Sequence, residues 1–142
     1  MTVMKTTFIF IWALALAFLS KSDQEAQNGL VGKHMFGVQF IYDGYGTAAI
    51  TEQDGVLHLK GEQYSNDKEE YVLMEGNITP IDDRNFTFNG TLKLFTKGCC
   101  GLLDRKVSYT FRKTGNRKYY RLKERNDLCD QHTCAYYLDI FE

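Results

Sequence analysis

Residues 47–63 read TAAITEQDGVLHLKGEQ, and this stretch decides the fold. Asp54-Gly55 sits between two runs that alternate apolar and polar residues. Asp-Gly suits a two-residue hairpin turn, because that turn needs a positive φ at its central positions. Setting Gln53 opposite Val56 places Glu52 opposite Leu57 and Ile50 opposite Leu59. Ala48, Ile50, Leu57 and Leu59 then share one face, and Ala49, Thr51, His58 and Lys60 the other. A slip of one residue would turn the apolar set to solvent, so the pattern itself specifies this register.

The same period of two continues in both directions. Strand candidates are residues 35–42, 47–53, 56–63, 71–79, 86–96, 107–113, 117–125 and 135–141. Gly115-Asn116 marks a second tight hairpin. Pairing Thr114 with Arg117 there sets Arg112 opposite Tyr119, Thr110 opposite Arg121 and Ser108 opposite Lys123. Val107, Tyr109, Phe111, Tyr120 and Leu122 fall on the other, core face. About eight short strands with little helical periodicity predict an all-β antiparallel meander, an up-and-down barrel or a two-layer sandwich.

The chain has 142 residues, one domain's worth, and four cysteines. Residues 8–19, FIFIWALALAFL, follow a short start bearing Lys5 and precede Ser20 and Ser22. This is the layout of a secretory signal peptide cleaved near Ser22, and twelve apolar residues are too few for a membrane span. The expected division is a signal peptide over 1–22, a flexible lead-in over 23–33 and a single β-domain over 34–142. The expected location is secreted or periplasmic, not membrane-embedded after cleavage.

In that compartment, Cys99, Cys100, Cys129 and Cys134 read as disulfides tying residues 99–100 to 129–134. A metal site using His132 is the poorer reading, since a Cys-Cys pair and a C-x4-C spacing fit zinc knuckles badly. No metal and no cofactor is expected.

Basic and acidic residues nearly cancel, 17 against 18. The cancellation hides two blocks. Residues 43–83 carry ten acids and two bases, and residues 93–125 eleven bases and two acids. The reading preferred is internal complementarity, with acidic strands beside basic ones. The sharper reading is an anion-binding face on Arg112, Tyr119, Arg121 and Lys123, for phosphate, an acidic polysaccharide or an acidic protein. Nucleic acid is not an expected partner, because the chain without its leader is net negative.

No nucleophile elbow, zinc-protease helix or phosphate-binding loop occurs, and His34, His58 and His132 are far apart in sequence. No catalytic residue is assigned. Sequons at Asn77, Asn85 and Asn89 read as outward Asn and Thr alternating on strands.

Residues 109–122, YTFRKTGNRKYYRL, with Cys129 and residues 137–141, YLDIF, resemble small exported bacterial β-proteins of unassigned function. The resemblance covers about 50 residues. It implies a hairpin and a last strand tied by a disulfide, and it brings no substrate or catalytic residue. The function expected is non-catalytic binding. Either a small apolar ligand sits inside a β-barrel, or a charged face takes a protein or polysaccharide surface. The alternatives are an inhibitor or interaction protein for a cationic enzyme and, least favoured, a small hydrolase.

Overall fold

In the computed structural model, residues 29–98, 101–128 and 136–142 are described. They form eight antiparallel strands: β1 (Gly32–Val38), β2 (Gly46–Gln53), β3 (Val56–Tyr64), β4 (Tyr71–Pro80), β5 (Asn85–Thr96), β6 (Gly101–Arg112), β7 (Tyr119–Leu122) and β8 (Leu138–Phe141). Each strand pairs with the next, and β8 pairs with β1, so the sheet closes into an up-and-down barrel. The barrel is chosen over the sandwich because closure removes every sheet edge that a meander would leave open.

The first hairpin has the register expected from residues 47–63, with Gln53 opposite Val56, Glu52 opposite Leu57 and Ile50 opposite Leu59. Asp54 and Gly55 have φ of 53° and 77°, as a type I′ turn needs. The second hairpin differs. Arg112 pairs with Arg121 and Phe111 with Leu122, two residues away from the expected pairing. Residues 113–118 make a longer loop, in which Lys113 N–H bonds Arg84 and only Arg117 closes a turn on Thr114. A shift of two keeps each side chain on its face, so Tyr109, Phe111, Tyr120 and Leu122 are still buried.

Strand β1 starts earlier than expected and stops at Val38. The Gln63 side chain reaches across from β3, accepting from Val38 N–H at 2.7 Å and donating to the Val38 carbonyl at 3.4 Å. With its backbone occupied this way, Val38 is closed to β2, whose pairing with β1 ends at Phe36, while it still pairs with Leu138 of β8.

Inside the barrel, alternate residues of every strand meet in one core. Phe36, Phe86, Phe88, Phe111 and Tyr136 are fully buried, with Ile50, Leu57, Leu59, Met74, Leu92 and Leu94 around them. Eight strands enclose an interior just wide enough for side chains to fill. The outward positions of the long strands carry residues such as Lys60, Glu62, Glu75, Asn77, Asn89 and Lys106. This is the reverse of a transmembrane barrel, which is apolar outside and polar within. Among the described residues no helix is long and apolar enough to cross a membrane.

Gly76 and Gly90 face each other at mid-strand in β4 and β5. A Cβ on Gly90 would stand 2.2 Å from the Glu75 carbonyl oxygen, and one on Gly76 2.3 Å from that of Asn89. These are backbone atoms in a paired ladder, so they cannot swing aside. Gly90→Ala is expected to cost about 1–3 kcal/mol, the range for overpacking. The readout is a lower urea midpoint with unchanged slope; an unmoved midpoint would show that the two strands part cheaply.

One part of the expected fold class is corrected. The barrel is not disulfide-stapled as described: no cysteine pair at bonding distance is found among the described residues. Cys99, Cys100, Cys129 and Cys134 lie outside those residues, as do His132 and the leader over 1–22. What closes the fold is the backbone ladder from β1 round to β8, together with a filled core.

Candidate functional site

The sequence-predicted anion face lies on the outside of the barrel where β6, β7 and β8 meet. Arg112 on β6, Arg121 on β7 and Asp139 on β8 form one row across the three strands. Like charges directly opposite each other are unfavourable on a sheet, so Arg112 beside Arg121 needs a compensating acid. Asp139 supplies it. Arg121 donates from Nε to Asp139 Oδ1 and from Nη2 to Asp139 Oδ2, each at 2.7 Å. Two parallel bonds of this kind fix the guanidinium plane as well as its position. The hydrogen-bonded Asp139 carboxylate also holds the Arg121 proton more tightly than usual, and partial burial opposes this.

Asp139 is an outward position by parity, yet only 1% of it is exposed. Arg121 covers it from β7, and Gln39 Nε2 approaches its Oδ2 at 3.5 Å. Arg121 is in turn held between two rings, 4.9 Å from the centroid of Tyr119 and 4.7 Å from that of Tyr137. Each ring has a second arginine against it: Arg117 lies 5.5 Å from Tyr119 and Arg125 5.4 Å from Tyr137. The result is a ladder in the order Arg117, Tyr119, Arg121, Tyr137, Arg125. Cation–π contacts of this type contribute about 0.5–1 kcal/mol each when exposed.

Of the four expected residues, Arg112, Tyr119, Arg121 and Lys123 all lie in this region, but their roles differ. Arg121 is saturated by Asp139 and serves as the hub that orients two tyrosines. Tyr119 is a rung. Arg112 and Lys123 are exposed, and Lys123 N–H bonds the Thr110 carbonyl just past the end of β7. Sequence reasoning missed Arg117, Arg125, Tyr137 and Asp139. The signals were present: Arg117, Tyr119 and Arg121 alternate with period two, and Asp139 sits in an apolar strand, where a carboxylate needs a partner.

The two charge blocks touch in one place among the described residues. Among the described residues, the salt bridges joining them are those of Lys97 with Asp67, at 3.5 Å, and with Glu69. Strand β5 separates acidic β4 from basic β6. The acids on β2–β4 and the bases around β7 therefore present two outward surfaces. The Ser65 hydroxyl and the Glu69 N–H bonded to Asp67 hold its carboxyl below the ordinary aspartate value. Lys113, paired with Glu142, is held above the ordinary lysine value by that bond. Among the described residues no group of three or more His, Cys, Asp or Glu is placed to hold a metal ion.

Asn77 and Asn89 stand opposite each other on the outside of β4 and β5, and Asn85 Nδ2 is bonded to both oxygens of Asp82. The sequons are thus strand and turn residues.

Comparison with known proteins gives a match over nearly the whole chain. The sequence profile described as the PM1083 family matches residues 19–142. A protein of Pasteurella multocida (strain Pm70), described as an uncharacterized protein PM1083, is 32% identical over 141 residues, 94% of this chain and 87% of the relative. No solved structure matches. The likeness read from residues 109–141 thus extends far beyond the last third.

Proposed function

The chain belongs to the PM1083 family, whose name states no activity, and from its own geometry we propose that it is an exported, non-catalytic binding protein that docks an acidic macromolecular surface on its arginine–tyrosine face. The observation that carries this reading is the ladder of three arginines and two tyrosines anchored on buried Asp139. Tyrosine and arginine dominate the energetics of protein interfaces because they offer flat, amphipathic area with little entropy to lose. Here their orientation is fixed before any partner arrives, which lowers the ordering cost of binding. Arg112 and Lys123 add exposed positive charge on the same face. An apolar ligand within the barrel is the less supported reading, because rings and aliphatic chains occupy the interior positions. Export rests on the apolar run over 8–19 and its small-residue boundary near Ser22.

The test uses heparin resin and soluble polyglutamate as acidic probes. The protein is expected to be retained at low salt and released as salt rises, since exposed charges are screened within about 8–10 Å at physiological ionic strength. A variant with Arg112→Ala, Arg117→Ala and Lys123→Ala should elute at clearly lower salt, while Lys60→Ala, on β3, should elute as the parent does. Arg121 is left intact because it holds Asp139. Elution of the triple variant with the parent on both probes would sink the proposal.

A further inference from the structure

On the far side of the barrel the outer surface is hollowed. A trough of about 660 Å³ runs over β3–β6, with Leu73 and Glu75 of β4 between Lys60, Glu62 and Tyr64 of β3 and Thr91 and Lys93 of β5. A second hollow of about 530 Å³ continues it toward the first hairpin, past Thr51, His58 and Asn77. The two share the cross-strand pair Lys60 and Glu75, so they lie end to end as an elongated channel along the outside of β3 and β4. Nine residues of β3 span about 30 Å at ~3.3 Å per residue, so the channel is elongated.

Its rim is aromatic at one end. Tyr64, Tyr71 and Phe95 occupy one register row across β3, β4 and β5, with ring centroids 6.3 Å and 6.4 Å apart. Leu102 continues the row on β6 and is 68% exposed. Beside the rings the lining is polar and nearly balanced in charge: Lys60 and Lys93 against Glu62, Glu75 and Asp104, with Lys93 and Asp104 3.7 Å apart.

We infer that this channel is a binding site for an uncharged, linear oligosaccharide. A peptide recognised in extended form is held by free main-chain groups at a sheet edge. The channel offers none, since β3, β4 and β5 are each paired on both sides. All of its hydrogen bonding must come from side chains. Carboxylates, ammonium groups, amides and hydroxyls in alternation are the donors and acceptors that match the hydroxyls of sugars. The exposed ring of Tyr64, backed by Tyr71 and Phe95, and Leu73 supply the flat apolar surface on which the C–H face of a pyranose packs, as tyrosine's amphipathic body allows. Near-balanced charge disfavours a polyanion or polycation, and a channel open along its length admits a chain rather than a compact ligand. The site is distinct from the arginine–tyrosine face, because β4 and β8 lie four strands apart in either direction round the barrel.

The test is a titration of the ¹⁵N-labelled protein with cellohexaose, chitohexaose and maltohexaose to millimolar concentration. The expected result is saturable amide shifts at Leu73, Glu75, Asn77 and Thr91 with at least one of the three. Tyr64→Ala should weaken that binding roughly ten-fold, as loss of about 1.4 kcal/mol of stacking would do. Tyr64→Phe, which keeps the ring, should bind as the parent does, and raised salt should leave the affinity unchanged. The inference is overturned if none of the hexasaccharides moves the channel amides, if Tyr64→Ala binds as tightly as the parent, or if heparin displaces the sugar there.

Discussion

Asp139→Ala is expected to lower the unfolding free energy by about 3–5 kcal/mol, the range for removing one partner of a buried ion pair. Asp139 is 1% exposed and accepts two 2.7 Å bonds from Arg121, whose own side chain is only 19% exposed. Without the carboxylate, Arg121 keeps its charge in a place largely shielded from water, opposite Arg112. Repulsion between those two arginines then acts across the β6–β7 pairing, which is the shortest ladder in the barrel. Urea unfolding should show the loss directly. Asp139→Asn should fall between parent and Ala variant, since an amide still accepts a hydrogen bond but carries no charge. If Asp139→Ala unfolded within ~0.5 kcal/mol of the parent, the scale of an ordinary surface substitution, the pair would have no structural role. Acidic-probe binding should fall in the same variant, because the guanidinium that spaces Tyr119 and Tyr137 loses the carboxylate that fixes it.

Phe86→Ala is expected to cost about 3–5 kcal/mol, the usual range for emptying a buried aromatic site. Phe86 is fully buried, stacked on Phe111 at 5.1 Å and 12°, and 5.1 Å from Tyr120. Phe86 and the two rings that pack it come from three different strands, so collapse into the gap would require several strands to move together. The variant also separates the two forms of binding considered from the sequence. A cavity lined by apolar side chains stays dry and takes up small apolar solutes such as benzene or xenon. The Phe86→Ala variant should therefore be stabilised by benzene while the parent is not. Equal stabilisation of the parent would mean that its interior already has room for an apolar ligand.

Several features of this barrel are legible in particular residues. Asp54-Gly55 with its flanking alternation gives the first hairpin to the residue, because side-chain parity and turn chemistry are both local. The alternation in residues 86–96 likewise places Phe86, Phe88, Leu92 and Leu94 inside. The second hairpin was readable in facing but not in register. Gly115-Asn116 looks like a two-residue turn, yet Lys113 leaves the strand to bond Arg84 on the β4–β5 turn, a contact made only in three dimensions. The end of the β1–β2 pairing was not readable either, since the Gln63 amide that occupies Val38 is 25 residues away.

The candidate site divides in the same way. Arg112, Tyr119, Arg121 and Lys123 were brought to one region by period two alone. Their division into a saturated hub, a rung and two exposed cations required Asp139 and Tyr137, supplied by another strand. The channel over β3–β6 left no mark that a single strand could carry, because its rows draw on several strands, as Glu62, Leu73, Lys93 and Asp104 do.

By itself, then, the sequence determined the all-β class, the strand count, the inward set and the segregation of charge, all properties of near neighbours along the chain. Only the tertiary structure decided that the meander closes into a barrel rather than a sandwich. It also decided that the two charge blocks face outward and meet, among the described residues, through Lys97, and that Arg121 belongs to Asp139. Those outcomes depend on β8 returning to β1 and on which strands become neighbours, and alternation with a period of two is the same whichever strands those are.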